Sequence, residues 1–272
     1  MSRISGRRVA LSLPRRFICD LLHASRRIPF VTFEREADLS RLIAARKRLA
    51  NPPAWAVLIA RAFARIAAER PEFRRTYVPL PWPHLWEADE SVAAIAVERE
   101  YGGEPGVFFG LLKSPDRKPL VELAAQVEEW KHEPVEAVAS FRRALRYARR
   151  PLLIRRLLWW LAVSWSGMLK ARSFGTFGVS LTGGAGATAV NLIGPVTTSL
   201  NCGVIQPDGT MMLRLHFDHR VLDGMSAARA LTALEETLND EIVAELSQMR
   251  GQRPEVRGRR SEVRDQKSEV RK

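Results

Sequence analysis

The sequence predicts an α/β fold, and three observations carry that expectation. Between Pro53 and Pro71, residues Ala54–Arg70 place Val57, Leu58, Ala60, Phe63, Ile66 and Ala67 at helical spacing. Ser91–Val97 and Gly106–Leu112 read as buried strands separated by a turn at Gly102-Gly103. Ser199–Ile205 and Thr210–Asp218 pair as a hairpin across Gln206-Pro207-Asp208-Gly209. Helical and extended segments alternate along the chain, as they do in α/β proteins.

The remaining elements follow in order. Arg15–Ser25 reads as a first helix with Phe17, Ile18, Leu21 and Leu22 on one side, and Pro29 ends the turn after it. Val31–Glu36 alternates and reads as a strand. Asp38 or Ser40 caps a short helix through Ala50. Val121–Trp130 is a helix, and another covers Val135–Tyr147. Ile154, Leu157, Leu158, Leu161, Trp165 and Met168 form the apolar face of one further helix. Phe177–Leu181 is a short strand ahead of the loop Gly183-Gly184-Ala185-Gly186, and the final helix runs from Ser226 to Met249. Residues 1–14 read as an N-terminal extension, 15–249 as a single domain and 250–272 as a basic tail. The tail repeats Glu-Val-Arg and is expected to be disordered, having too little apolar surface to offset chain entropy.

At 46% hydrophobic residues, the 272-residue chain holds enough apolar material for a substantial core. Residues Met1–Arg16 hold five arginines and no long apolar run, so no signal peptide is read there. Cys19 and Cys202 make no disulfide framework and no C-x-x-C, so a reducing cytoplasm is expected and a metal is not. The net charge is +13, and no Asp or Glu occurs from Ala137 to Pro207. That field attracts anions: nucleic acid, an anionic membrane surface or a polyphosphorylated small molecule. No DNA- or RNA-binding motif accompanies it, so nucleic acid is disfavoured. The uncharged run Leu157–Leu169 falls short of the roughly 20 residues needed to span a bilayer. The Arg149–Arg172 stretch either packs on its own domain or lies on an anionic membrane with Trp159, Trp160 and Trp165 at the interface. The glycine run lacks the spacing and the Gly-Lys-Ser/Thr ending of a phosphate loop.

The most informative segment is His219-Arg220-Val221-Leu222-Asp223-Gly224, lying after an alternating strand and before an amphipathic helix. It offers an imidazole for proton transfer, an acid four residues on to fix a tight corner, and a glycine to let the backbone turn. With its flanks, Leu215-His216-Phe217-Asp218 and Met225–Leu238, the segment resembles the active site of the catalytic acyltransferase domain of 2-oxo acid dehydrogenase complexes. Chloramphenicol acetyltransferases share that core. Three further islands are similar in the same order: Arg15–Pro29, Ala60–Phe73 and Gly175–Ser180. No lipoyl domain or peripheral-subunit-binding segment is read before Arg15, so the chain looks like a free-standing relative.

The resemblance implies a two-layer sandwich of mixed sheet and helices, chloramphenicol acetyltransferase-like. It also implies direct acyl transfer from a coenzyme A or other thioester to an acceptor, with no bound cofactor and no metal. His219 would be the general base and Ser180 the donor to the oxyanion, with Thr182 as the alternative donor. Asp223 would be structural, paired with Arg15 or, next best, Arg16, while Gly224 supports the corner. The family joins histidine and serine across a trimer interface, so a homotrimer with a small-molecule or thiol acceptor is expected. Two other classes stay open: a non-catalytic homologue kept for assembly, and a peripheral membrane or polyanion-binding module. His23, His84, His132 and His216 read as surface or core residues, and Cys202 as a small core residue.

Overall fold

The computed structural model describes residues 6–183 and 186–251. A six-stranded mixed sheet runs in the order β1-β8-β7-β6-β4-β5. Its strands are β1 (Phe30–Asp38), β4 (Val92–Tyr101), β5 (Glu104–Lys113), β6 (Phe177–Val179), β7 (Thr198–Cys202) and β8 (Thr210–Asp218). β6 is parallel to both neighbours, and the other pairs are antiparallel. Both expected hairpins form: β4 turns into β5 at Gly102 and Gly103, both with positive φ, and β7 pairs with β8. A two-stranded ribbon, β2 (Arg75–Val78) and β3 (His84–Glu87), stands apart. It went unread because each strand is four residues long, with prolines between them.

One face of the sheet carries the main core. Helix α3 (Trp55–Glu69) crosses it, flanked by α4 (Leu120–His132) and α8 (Gly224–Thr237). Phe63 of α3 meets Phe177 at 4.9 Å and Phe73 at 5.5 Å, both edge-on. α2 (Ser40–Lys47) and α9 (Val243–Gly251) close the β1 end of this layer. A π-helical turn over Leu238–Ile242 links α8 to α9, so the single final helix read from the sequence contains an irregular turn.

Helices α1 (Leu13–Ser25), α5 (Ala139–Ala148), α6 (Leu152–Ser164) and α7 (Gly167–Phe174) gather near the β5 end and cover part of the second face. Strand alternation supplies that face with Ala94, Ala96, Phe109 and Gly178, while Ala93, Ile95, Phe108 and Phe177 enter the core. The helix expected over Ile154–Met168 is two: α6 ends at Ser164, and Ser166 caps α7 by accepting from the Leu169 amide at 3.3 Å. Its orientation also differs from the periodicity reading. Ile154, Leu157, Trp165 and Met168 are exposed, whereas Arg155 and Trp159 are buried. The physical reason is Asp20 of α1, which is 2% exposed and holds Arg155 Nε at 3.0 Å and Arg156 Nε at 3.7 Å. No helix among the described residues is long and apolar enough to cross a membrane. The tail from 252 onward, and Gly184-Ala185 of the glycine loop, lie outside the described residues.

Candidate active site

β8 sends Met211, Leu213, Leu215 and Phe217 into the core and ends at Asp218. There the chain turns a tight corner. The Asp218 carbonyl accepts from the amides of Val221 at 3.0 Å and Leu222 at 3.2 Å. Its buried carboxylate accepts from the Arg220 amide at 3.0 Å, Nε at 2.9 Å and Nη2 at 2.7 Å. The Arg220 guanidinium carbon lies 4.3 Å from the centre of the Tyr77 ring, so the β2–β3 ribbon clamps it from outside. Lys170 of α7 is also buried nearby, and burial pulls its ammonium down to about 8 against the opposing pull of Asp218.

His219 stands on this fixed corner. Its amide donates to the Pro29 carbonyl at 3.2 Å, and its exposed ring lies edge-on to Phe217 at 5.7 Å. Nδ1 is 3.0 Å from the Leu222 carbonyl oxygen. A carbonyl only accepts, so Nδ1 carries the hydrogen and donates. Nε2 is left with a free lone pair, which is the tautomer a base requires.

Two expected supports act differently. Asp223 does not pair with Arg15 or Arg16. It is exposed just before α8, its side chain caps nothing, and it forms no ion pair among the described residues. α1 begins at the opposite edge of the sheet, where Pro14 packs on Gly106 of β5, and there Arg15 is exposed and Arg16 Nε donates to the Leu11 carbonyl at 3.0 Å. The acid that fixes the corner is Asp218. Gly224 is also not a left-handed turn residue. A Cβ there would stand 2.7 Å from Phe33 Cζ, so glycine lets the start of α8 approach β1.

Ser180 follows β6. Its amide donates to the Leu200 carbonyl at 3.0 Å, and its carbonyl accepts from Asn201 Nδ2 at 2.9 Å. These bonds aim its side chain at the second face of the sheet, where it lines a cavity of about 180 Å³ under α1 and α5–α7. Thr182 is exposed and does not line that cavity. His219 does not line it either: it lies past the Phe217↔Thr198 end of the β7–β8 pairing, whereas Ser180 is bonded to Leu200 further along β7 and on its other side, so a single chain does not bring His219 and Ser180 together.

Of the other histidines, His23, His84 and His132 are exposed. His216 is buried, with Nδ1 2.8 Å from Thr32 Oγ1, and burial lowers it to about 4. Cys202 is buried and its thiol is pushed up to about 12, consistent with a core residue. No cluster of His, Cys, Asp or Glu among the described residues is placed to hold a metal.

The segment 182–245 matches the family model for the 2-oxoacid dehydrogenases acyltransferase catalytic domain. The fold is similar to the cubic core of the pyruvate dehydrogenase multienzyme complex, at 23% identity and TM-score 0.64, covering 89% of this chain and 94% of that one. It is equally similar to dihydrolipoamide acetyltransferase of Azotobacter vinelandii, at 23% identity and TM-score 0.65 over the same shares. The truncated 2-oxoacid dehydrogenase core of Thermoplasma acidophilum matches at 21% identity and TM-score 0.62, covering 86% and 99%. No curated protein matches in sequence. The resemblance to the acyltransferase catalytic domain therefore holds at two levels, a segment that includes the His219 box and the whole fold.

Proposed function

We propose that the chain is an acyltransferase that moves an acyl group from coenzyme A, or another thioester, directly to an acceptor. The observation that carries this reading is the His219 corner, with Nδ1–H committed to Leu222 and Nε2 available as base. Nε2 takes the proton of the acceptor hydroxyl or thiol as its oxygen or sulfur attacks the thioester carbon. The tetrahedral oxyanion accepts a hydrogen bond from Ser180. The carbon–sulfur bond then breaks, and the leaving thiolate recovers the proton from His219. The family match over 182–245 supports this chemistry.

The site is shared between subunits of a trimer. In support, His219 and Ser180 lie apart within one chain, and a similar fold builds a cubic core. A head-to-tail contact of this kind closes into a ring when the rotation is right. His219→Ala should lower acyl-CoA turnover by about 10²–10⁴-fold. Ser180→Ala should lower kcat by about 10²–10³-fold with a smaller change in KM. Mixing the two inactive proteins after dissociation should restore part of the activity, because some interfaces then hold one intact pair. Parental turnover by His219→Ala would overturn the base assignment. No recovery despite verified subunit exchange would overturn the shared site.

A second reading, a peripheral membrane module, is favoured by the outward apolar stripe of α6 beside its arginines, with Leu153, Leu157 and Trp160 exposed. Co-sedimentation with anionic vesicles, lost at high salt, would support it.

A further inference from the structure

We propose that the cavity beneath α1 and α5–α7 is an acyl-chain site that selects a medium-length chain of about six to eight carbons. This rests on the acyl-transfer reading above and names its donor. Protein interiors are close-packed, with few voids larger than a water molecule. Here about 180 Å³ stays open between sheet and helices. An apolar cavity of about 150 Å³ accommodates a six-carbon ring, which sets the expected chain length.

The shape comes from small residues facing a rigid wall. Ala94, Ala96 and Gly178 give a low floor on the sheet, and Ala144 of α5 and Ala162 of α6 keep the roof high. The wall is Trp159, which is buried, stacks on Phe174 at 4.6 Å and tilts against Phe17 at 5.5 Å. The polar side chains among the described lining residues are Ser140, Ser173, Ser180, Ser199 and Tyr147, with Arg143 the one charged group. Ser199 lies on β7 and Ser180 just past β6. No carboxylate is among the described lining residues, so none of them opposes an acyl thioester or its anionic carrier. Ile193 lines the cavity and is half exposed, so it marks where the space meets solvent.

Ser180 gives the site its meaning. The residue assigned to the oxyanion also lines the apolar space, so a chain lying under α5 and α6 has its carbonyl carbon within the reach of that hydroxyl. A two-carbon acyl group would leave most of the space unfilled. Each methylene buried from water is worth about fourfold in affinity.

The test uses the full chain and two readouts. Calorimetric titration with acyl-CoAs of two to sixteen carbons should give affinity rising to a maximum near six to eight carbons and falling beyond. Octanoyl-CoA should bind at least tenfold tighter than acetyl-CoA. Ala144→Leu and Ala162→Leu each narrow the roof, so each should lower the octanoyl-to-acetyl affinity ratio at least tenfold. A flat chain-length series in the parent would overturn the proposal whether or not the variants fold. So would folded variants, judged by near-UV circular dichroism, that keep the parental ratio. Thiol release is followed separately. Chain-selective binding without any turnover would sink the transferase reading and leave the cavity assignment standing, and turnover without chain selectivity would do the reverse.

Discussion

Apart from the His219 amide bond to Pro29 and the Tyr77 clamp on Arg220, the polar contacts at the His219 corner join residues close in sequence, whereas the ion pairs that seat α6 reach across the chain. At the corner, Asp218 holds Arg220, Val221 and Leu222, and His219 holds Leu222. In the helical segment, Arg155 and Arg156 are held by Asp20 of α1, more than a hundred residues away. The run Asp218–Leu222 therefore specifies much of its own geometry, and the part from His219 onward is legible as a motif. A helix whose buried face is chosen by a distant acid is not. The two regions should accordingly respond differently to substitution.

The largest effect is expected in the helical segment. Burial raises the Asp20 carboxyl despite the opposing guanidiniums of Arg155 and Arg156. Desolvation therefore outweighs the pairing, and the arrangement is costly to break on one side only. Asp20→Asn leaves Arg155 charged and buried, and should lower unfolding stability by about 3–5 kcal/mol. The double variant Asp20→Leu/Arg155→Met removes both charges and should return to within about 1 kcal/mol of the parent. Urea titration of the three proteins decides this. A double variant as unstable as the single one would show that α6 is not seated by this pair.

The next effect lies beside the corner and depends on pH. His216 titrates near 6.5 when unfolded and is lowered to about 4 in the fold, where it is buried neutral. The unfolded chain therefore binds the extra proton first. Stability from this residue is complete above about pH 6.5 and is lost as pH falls toward about 4, amounting to roughly 3 kcal/mol across that window. Melting curves between pH 7 and 5 should fall more steeply for the parent than for His216→Gln. Equal slopes would show that His216 is already protonated in the native state or open to water.

Both sheet hairpins, β1 and helix α3 were legible because alternation, paired glycines and bracketing prolines act over a few residues. The register Phe33↔Leu215 and Ser199↔His216 follows once those alternations are set. Within the site, the sequence singled out His219 and Ser180 but misplaced their supports. Asp218 was visible only as a flank and Arg220 only as an unassigned position of the box. Tyr77 belongs to a ribbon too short to read, and Lys170 sits in a helix whose apolar pattern concealed it. The exposed side of α6 looks like a core stripe in sequence, because periodicity gives a face and not what covers it.

The smallest effect is the sharpest test of the corner. Had Asp223 been half of a buried pair, neutralising it would cost several kcal/mol. The structure instead places it exposed at the N-terminus of α8, where a negative charge is worth about 0.3–1 kcal/mol through the helix dipole. Asp223→Asn should therefore shift stability by no more than about 1 kcal/mol, with the shift shrinking as salt is added. Thermal melts at low and high salt check this. A loss of several kcal/mol that salt does not change would mean that Asp223 gains a buried partner on assembly, and would move the acid that fixes the corner from Asp218 back to Asp223.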